Sequence, residues 1–222
     1  MSVRIGIMGG MFDPVHRGHL QVAATALSAL DLDHVRLVPC AVPSHRNQAS
    51  ASAGHRLAML ELALTDFDEP RLLADDRELR RPGVSYMVDT LASVAGQFPD
   101  ATLVYIMGWD SLNTLPGWHK WRQLLDYCHL CAISRPGVRP VSDSMAARDA
   151  DWLWSRQAKS LPPLFETKSG KLYVLDELAE SAASTHIRQA LAAGEQKITD
   201  IPGVVMDYIR QHQLYTMPIV NA

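Results

Sequence analysis

Cysteine is scarce, three in 222 residues, and an odd number in a chain of this length fits a reducing compartment better than a disulfide framework. No apolar stretch is long enough to span a bilayer, and no charged start followed by an apolar run and a cleavage site marks a secretory leader. The expectation is therefore no membrane association, with the cytosol as default. An excess of one charge sign is also missing. A formal net charge of -3 gives no global pull toward nucleic acid or an anionic surface, so an anion must be recognised by local geometry, and a small ligand is expected. Cys128 and Cys131 form a CxxC, but in an apolar run read as a strand, where residues three apart point to opposite faces and cannot clasp one metal. No second CxxC is present, and no metal site is expected. Hydrophobic residues make up 47% of the chain, enough for a core in one domain over residues 1–222 without staples.

The informative residues start early. Val3, Ile5, Ile7 and Met8 form a short apolar run that Gly9-Gly10 breaks, as a buried strand does on meeting a turn. Pro14 fixes a bend, and from Gly18 onward Leu20, Val22, Ala23, Ala26, Leu27 and Leu30 recur at helical spacing. The segment reads strand, glycine turn, helix. Glycine lets the backbone approach a ligand, and a helix start offers free N–H groups at a positive dipole end, so the anion expected there is phosphate. His16 and His19 share one side if the turn continues helically, and both can donate to phosphate oxygens.

A second strand is expected over His34 to Pro39, then an exposed loop in which His45 and Arg46 overhang the same crevice, because ligands of open α/β sheets bind beyond the carboxyl ends of the strands. A solvated basic loop is the alternative. Gly54 to Leu64 reads as a packing helix with Leu57, Met59, Leu60, Leu62, Ala63 and Leu64 as its apolar face. Next, RLLADDRELRRPG reads as a marginal strand running into a solvated loop, the acids Asp75, Asp76 and Glu78 being offset by Arg77, Arg80 and Arg81. Ser85 is placed to cap a helix from Tyr86 to Gln97. A buried strand from Thr102 to Met107 stops at Gly108, with Asp110 and Trp118 beyond it: an acid there can accept from ribose hydroxyls and an indole can stack on a flat ring, though either can be structural. A strand from Cys128 to Ser134 brings Arg135 to the same edge. Residues 138–170 read as an insertion or flap with a helix over Met145 to Trp154, before a strand from Leu172 to Leu175. In SAASTHIRQALAAGE a second helix start appears, where Ser184, Thr185 and backbone N–H groups could bind an anion and Arg188 adds a bidentate fork; an ordinary capped helix is the alternative. Val204 to Leu214 closes a helical part over 184–214.

The pattern GxFxPxHxGH, matched by Gly10, Phe12, Pro14, His16, Gly18 and His19, closely resembles the signature of the nucleotidylyltransferase superfamily. PSHR at Pro43 to Arg46, Ser85-Tyr86, GWDSL at Gly108 to Leu112, Trp118, Arg135 to Gly137 and STHIR at Ser184 to Arg188 then follow in the order seen in bacterial nicotinate-nucleotide adenylyltransferases. This resemblance spans nearly the whole chain. It implies an α/β, Rossmann-like parallel sheet flanked by helices, and transfer of the adenylyl group of ATP to nicotinate mononucleotide. It also implies that His16, His19 and Arg188 are catalytic, and that Gly9, Gly10, Met11, Phe12, Gly108, Asp110, Arg135, Ser184 and Thr185 bind ATP. His45, Arg46, Asp110, Trp118 and the backbone near Met87 and His119 would bind the mononucleotide, with Mg2+ carried by the ATP phosphates. Partners would be these small molecules, with no nucleic acid and an open oligomeric state. The sequence departs from the family pattern at Met11, Cys40, Ser44, Met87, Ala182 and Ala183, where hydroxyl or amide contacts are lost and backbone contacts can survive. Two rivals are an adenylyltransferase with another acceptor, such as nicotinamide mononucleotide, and a non-catalytic nucleotide-binding relative.

Overall fold

Apolar runs become strands wherever both faces can be covered. The computed structural model describes residues 2–44, 49–133, 145–176 and 184–216. β1 (Arg4–Gly10), β2 (His34–Pro39), β3 (Leu72–Ala74), β4 (Thr102–Gly108), β5 (His129–Ile133), β6 (Gln157–Ala158) and β7 (Leu172–Leu175) form one sheet in the order β3-β2-β1-β4-β5-β7-β6. Every pairing is parallel, so each connection must cross over a face of the sheet, and helices do this. They are α1 (Arg17–Ala29), α2 (Ala53–Phe67), α3 (Arg77–Arg80), α4 (Met87–Gln97), α5 (Trp109–Thr114), α6 (Leu124–Tyr127), α7 (Ala147–Trp154), α8 (Leu161–Leu164), α9 (Ser184–Ala192) and α10 (Gly203–Gln211). The doubly covered, Rossmann-like sheet expected from the sequence is what the chain forms.

Strand alternation builds two cores. Val35, Leu37, Val104, Ile106, Cys131 and Ile133 face α1, α2, α9 and α10 on one side. On the other, Ile5, Ile7, Leu103, Tyr105, Met107, Leu130 and Ala132 face α4, α5 and α6. Burying one Val, Leu or Ile contributes about 1.5–3 kcal/mol, and a slip of one residue would exchange the two sets, so register is strongly held. Cys128 packs in one core and Cys131 in the other; burial raises both thiols, that of Cys131 to about 12. The order of strands reverses at β1, which pairs with β2 on one side and β4 on the other, and this opens a crevice beyond their carboxyl ends. Among the described residues no helix is long and apolar enough to cross a membrane.

The stretch after β3 is not the solvated loop expected. Asp75 and Glu78 are buried. Asp75 pairs with Arg77 at 2.7 Å and Arg36 at 3.2 Å. Burial pushes its carboxyl up, but the hydrogen bonds and charge of Arg77, with Arg36, outweigh this and hold it below its ordinary value. Thr90 Oγ1 on α4 donates to Glu78 Oε1 at 2.6 Å and accepts from Arg81 at 3.2 Å. Part of the dense charge is therefore paired internally, while Asp76 and Arg80 pair on the surface as expected. Ser85 does not cap α4 either: the helix starts at Met87 after Tyr86, with no side-chain cap. α2 buries Arg56, Met59, Leu60 and Ala63 and leaves Leu62 exposed, a narrower face than expected and one headed by an arginine. Within residues 145–170, α7 and α8 send Leu153 and Leu164 into opposite cores, and β6 extends the sheet past β7.

Candidate active site

The chain leaves β1 through a tight loop. Phe12 has φ 48°, in the left-handed region that a bulky residue rarely adopts, and the Asp13–Pro14 peptide is cis. This conformation lays the buried Phe12 ring against Gly10, where an added Cβ would lie 3.0 Å from it, and edge-on to His19 at 5.0 Å. His16 then caps α1: its backbone N–H donates to Nδ1 of His19 at 3.2 Å, and the two rings stack with centroids 3.6 Å apart. With Nδ1 accepting, the hydrogen-bond geometry assigns the proton of neutral His19 to Nε2. Burial, then the neighbouring His16, hold the proton affinity of His19 well below the ordinary imidazole value. The free site thus carries a neutral donor at the start of α1.

The second helix start meets the first. Ser184 Oγ donates to the carbonyl of Pro14 at 3.3 Å, and Arg188 Nη1 donates to the carbonyl of Asp13 at 2.7 Å while its Nη2 donates to Thr185 Oγ1 at 3.3 Å. Ile187, buried in the core beside α1, anchors α9 in that position. The Asp13 carboxylate fixes the loop from below, accepting from the N–H groups of Ser50 at 2.7 Å and Ala51 at 3.1 Å and from the Tyr215 hydroxyl at 2.7 Å. Burial, then the Asp13 charge and hydrogen bond, push the Tyr215 phenol far up, so this hydroxyl stays a donor. His16, His19, Ser184, Thr185 and Arg188 are therefore brought together around residues 13–16.

Across the crevice, Ser85 organises the segment after β2. Its hydroxyl accepts from the N–H groups of Ala41 and Val42, both at 3.2 Å, and its own N–H donates to Val42 O at 2.8 Å. Met87, at the start of α4, reaches β1: an added Cβ on Gly9 would sit 2.4 Å from its Cε and 3.4 Å from the Tyr105 hydroxyl. A side chain there would have to push aside the flexible end of Met87. Tyr105 in turn meets Trp118 edge-on at 6.2 Å, and Tyr86 packs on His119 at 4.2 Å. Trp118 is half-buried and His119 is exposed. Gly108 caps α5, whose first turn holds Asp110 on the surface. His45, Arg46 and Arg135 lie outside the described residues.

Sequence reasoning missed Arg56. Its guanidinium donates to the carbonyls of Met11 at 2.7 Å, Cys40 at 2.6 Å and Ala51 at 3.2 Å, bridging the segments after β1 and β2. The signal was available, since Arg56 shares the stripe of Met59, Leu60 and Ala63 at positions i, i+3, i+4 and i+7.

The cytidylyltransferase-like family matches residues 7–190. Over 215 residues the chain is 40% identical to the Aeromonas salmonicida protein named "Probable nicotinate-nucleotide adenylyltransferase", covering 97% of this chain and 98% of that one. This chain belongs to the nicotinate-nucleotide adenylyltransferase family. A Pseudomonas aeruginosa protein also named "Probable nicotinate-nucleotide adenylyltransferase" is 37% identical over 219 residues, covering 98% of this chain and 100% of that one. Plasmodium falciparum nicotinic acid mononucleotide adenylyltransferase complexed with NaAD superposes with a TM-score of 0.69 at 17% identity, covering 96% of this chain and 97% of that chain. At that identity the likeness is one of fold. The residues grouped beyond the carboxyl end of β1 come from the opening stretch and from the STHIR element.

Proposed function

We propose that this chain transfers the adenylyl group of ATP to nicotinate mononucleotide, giving deamido-NAD and pyrophosphate. The observation that carries the reading is the meeting of two helix starts, α1 and α9, through Ser184 and Arg188 on the carbonyls of Pro14 and Asp13. Two positive dipole ends, two histidines and a guanidinium on one loop suit a polyphosphate. In the reaction, a phosphate oxygen of the mononucleotide bonds to the α-phosphorus of ATP. The bond from that phosphorus to the bridging oxygen breaks, and pyrophosphate leaves with the electron pair. No protein nucleophile is needed, so the residues act by positioning and by stabilising charge.

His16, His19 and Arg188, with the N–H groups of Gly9 to Phe12 and the hydroxyls of Ser184 and Thr185, would hold the triphosphate and offset charge on the leaving group. Arg188 binds Asp13 O with one N–H, and donors of its fork remain for phosphate. With Nδ1 occupied by the His16 N–H, His19 would act as a neutral donor to the phosphate through Nε2. Gly108 and Asp110, with Arg135, would hold the nucleoside part of ATP. Trp118 would stack on the pyridine, the backbone near Met87 and His119 would read its carboxylate, Asp110 would also orient the mononucleotide ribose, and His45 and Arg46 would hold the mononucleotide phosphate. ATP would arrive as its magnesium complex, the metal lowering the charge of the phosphates. The Asp13 carboxylate is already committed to Ser50, Ala51 and Tyr215, which fits a metal held through substrate oxygens rather than by this loop.

A panel of acceptors tests the assignment. Pyrophosphate release should be fastest with ATP and nicotinate mononucleotide, slower with nicotinamide mononucleotide, and absent with pantetheine phosphate or with CTP in place of ATP. Preference for another acceptor would overturn the substrate assignment, and ATP binding without turnover on any acceptor would overturn catalysis.

A further inference from the structure

Arg56 touches neither substrate in the reading above, yet it holds the segments that would touch both. β1 and β2 run together until Cys40 N–H donates to Gly10 O at 2.8 Å. One residue further the two backbones part, and the Arg56 fork fills the gap, Nη1 on Met11 O and Nη2 on Cys40 O. Its Nε fixes a third segment through Ala51 O, the same residue whose N–H is held by the Asp13 carboxylate. The side chain is 1% exposed. These hydrogen-bond partners are carbonyls rather than carboxylates, and burial lowers the proton affinity of the guanidinium, with Asp13 offsetting this in part. A cation buried on neutral acceptors is a costly way to fill volume, which methionine could do without the desolvation penalty. What only the planar fork supplies is a rigid spacing between two backbone segments.

We propose that Arg56 is a positioning residue that sets the distance between the phosphate loop after β1 and the acceptor segment after β2, and with it the in-line approach of the attacking oxygen to the α-phosphorus. This inference rests on the adenylyl-transfer reading. Apart from Asp110, which serves both nucleosides, each substrate has its own set of residues, so loss of the fork should leave the individual affinities nearly intact and act on turnover. Misplacement by about 1 Å costs on the order of 10²-fold, so Arg56→Met should lower kcat about 10²-fold with both KM values within about threefold of wild type. Lysine keeps the charge but lacks the fork, so Arg56→Lys should resemble Arg56→Met rather than wild type.

The experiment measures kcat and KM for both substrates, calorimetric binding of each substrate alone, and thermal unfolding, on wild type, Arg56→Met and Arg56→Lys. Folded variants that bind each substrate normally but turn over slowly support the proposal. It is overturned by wild-type kcat in a folded variant, by losses of binding that match the loss of turnover, or by failure of both variants to fold, which would make Arg56 a folding residue only. A wild-type protein that releases no pyrophosphate with nicotinate mononucleotide would instead remove the adenylyl-transfer reading, and this inference with it.

Discussion

His19 gives its Nδ1 lone pair to the His16 backbone and keeps a proton on Nε2, so its role as a donor follows from a local bond within one turn of helix. Arg188 reaches the same loop from the far end of the chain. Both would act where negative charge accumulates on the departing pyrophosphate, and removal of one such group costs about 10²-fold or more in turnover. His19→Ala and Arg188→Ala should each show that loss in pyrophosphate release at saturating substrates. Wild-type rates in either would take that residue out of the mechanism. Phe12 makes a different point at this scale. Its φ of 48° is strained, and its buried ring lies against Gly10 and edge-on to His19, so the bulky residue is part of the loop's shape.

At the scale of elements, Ser85 joins the turn before α4 to the segment after β2. A net hydrogen bond contributes about 0.5–1.5 kcal/mol, so loosening two of them in Ser85→Ala should raise KM for nicotinate mononucleotide about tenfold and leave that for ATP unchanged. Equal changes for both substrates would show that the segment serves the whole crevice. Strands and crossover helices were legible because apolar spacing reports them: β2 and β7 fall on the expected residues, and β1, β4 and α1 nearly so. The glycine turn and the two helix starts were legible because their chemistry is local. What the pattern concealed were polar residues turned inward. Ser85 looks like a cap and Asp75 and Glu78 look solvated, and only the apolar stripe it shares with Met59, Leu60 and Ala63 marks Arg56. Except for Arg77 beside Asp75, the partners lie on distant segments, and a single sequence does not say which charged residues will meet inside.

Three imidazoles bear on the molecule as a whole. Burial lowers His19, His34 and His129 below 6.5. For His129, which accepts from Lys171 N–H at 3.2 Å through Nδ1 and faces Thr167 O at 2.9 Å through Nε2, burial outweighs the Thr167 carbonyl, which favours the protonated form. For groups with depressed values the unfolded chain binds more protons, so stability rises with pH between the folded and unfolded values. It should be intact above the unfolded value of about 6.5 and fall as the pH drops below it. The urea midpoint at about pH 5.5 should therefore lie below that at about pH 7.5, and His129→Gln should reduce the difference. Equal midpoints in the wild type would show that these imidazoles are not linked to folding.

Asp13 illustrates how far such linkage reaches. Its main-chain and side-chain oxygens receive bonds from residues 38, 175 and 202 positions later. Closing such long loops has an entropic cost that only the assembled fold repays. The turn proposed to take the anion is spelled out within a dozen consecutive letters, but its rigidity is a property of the entire polypeptide, and a substitution near Tyr215 should be felt where the triphosphate would sit.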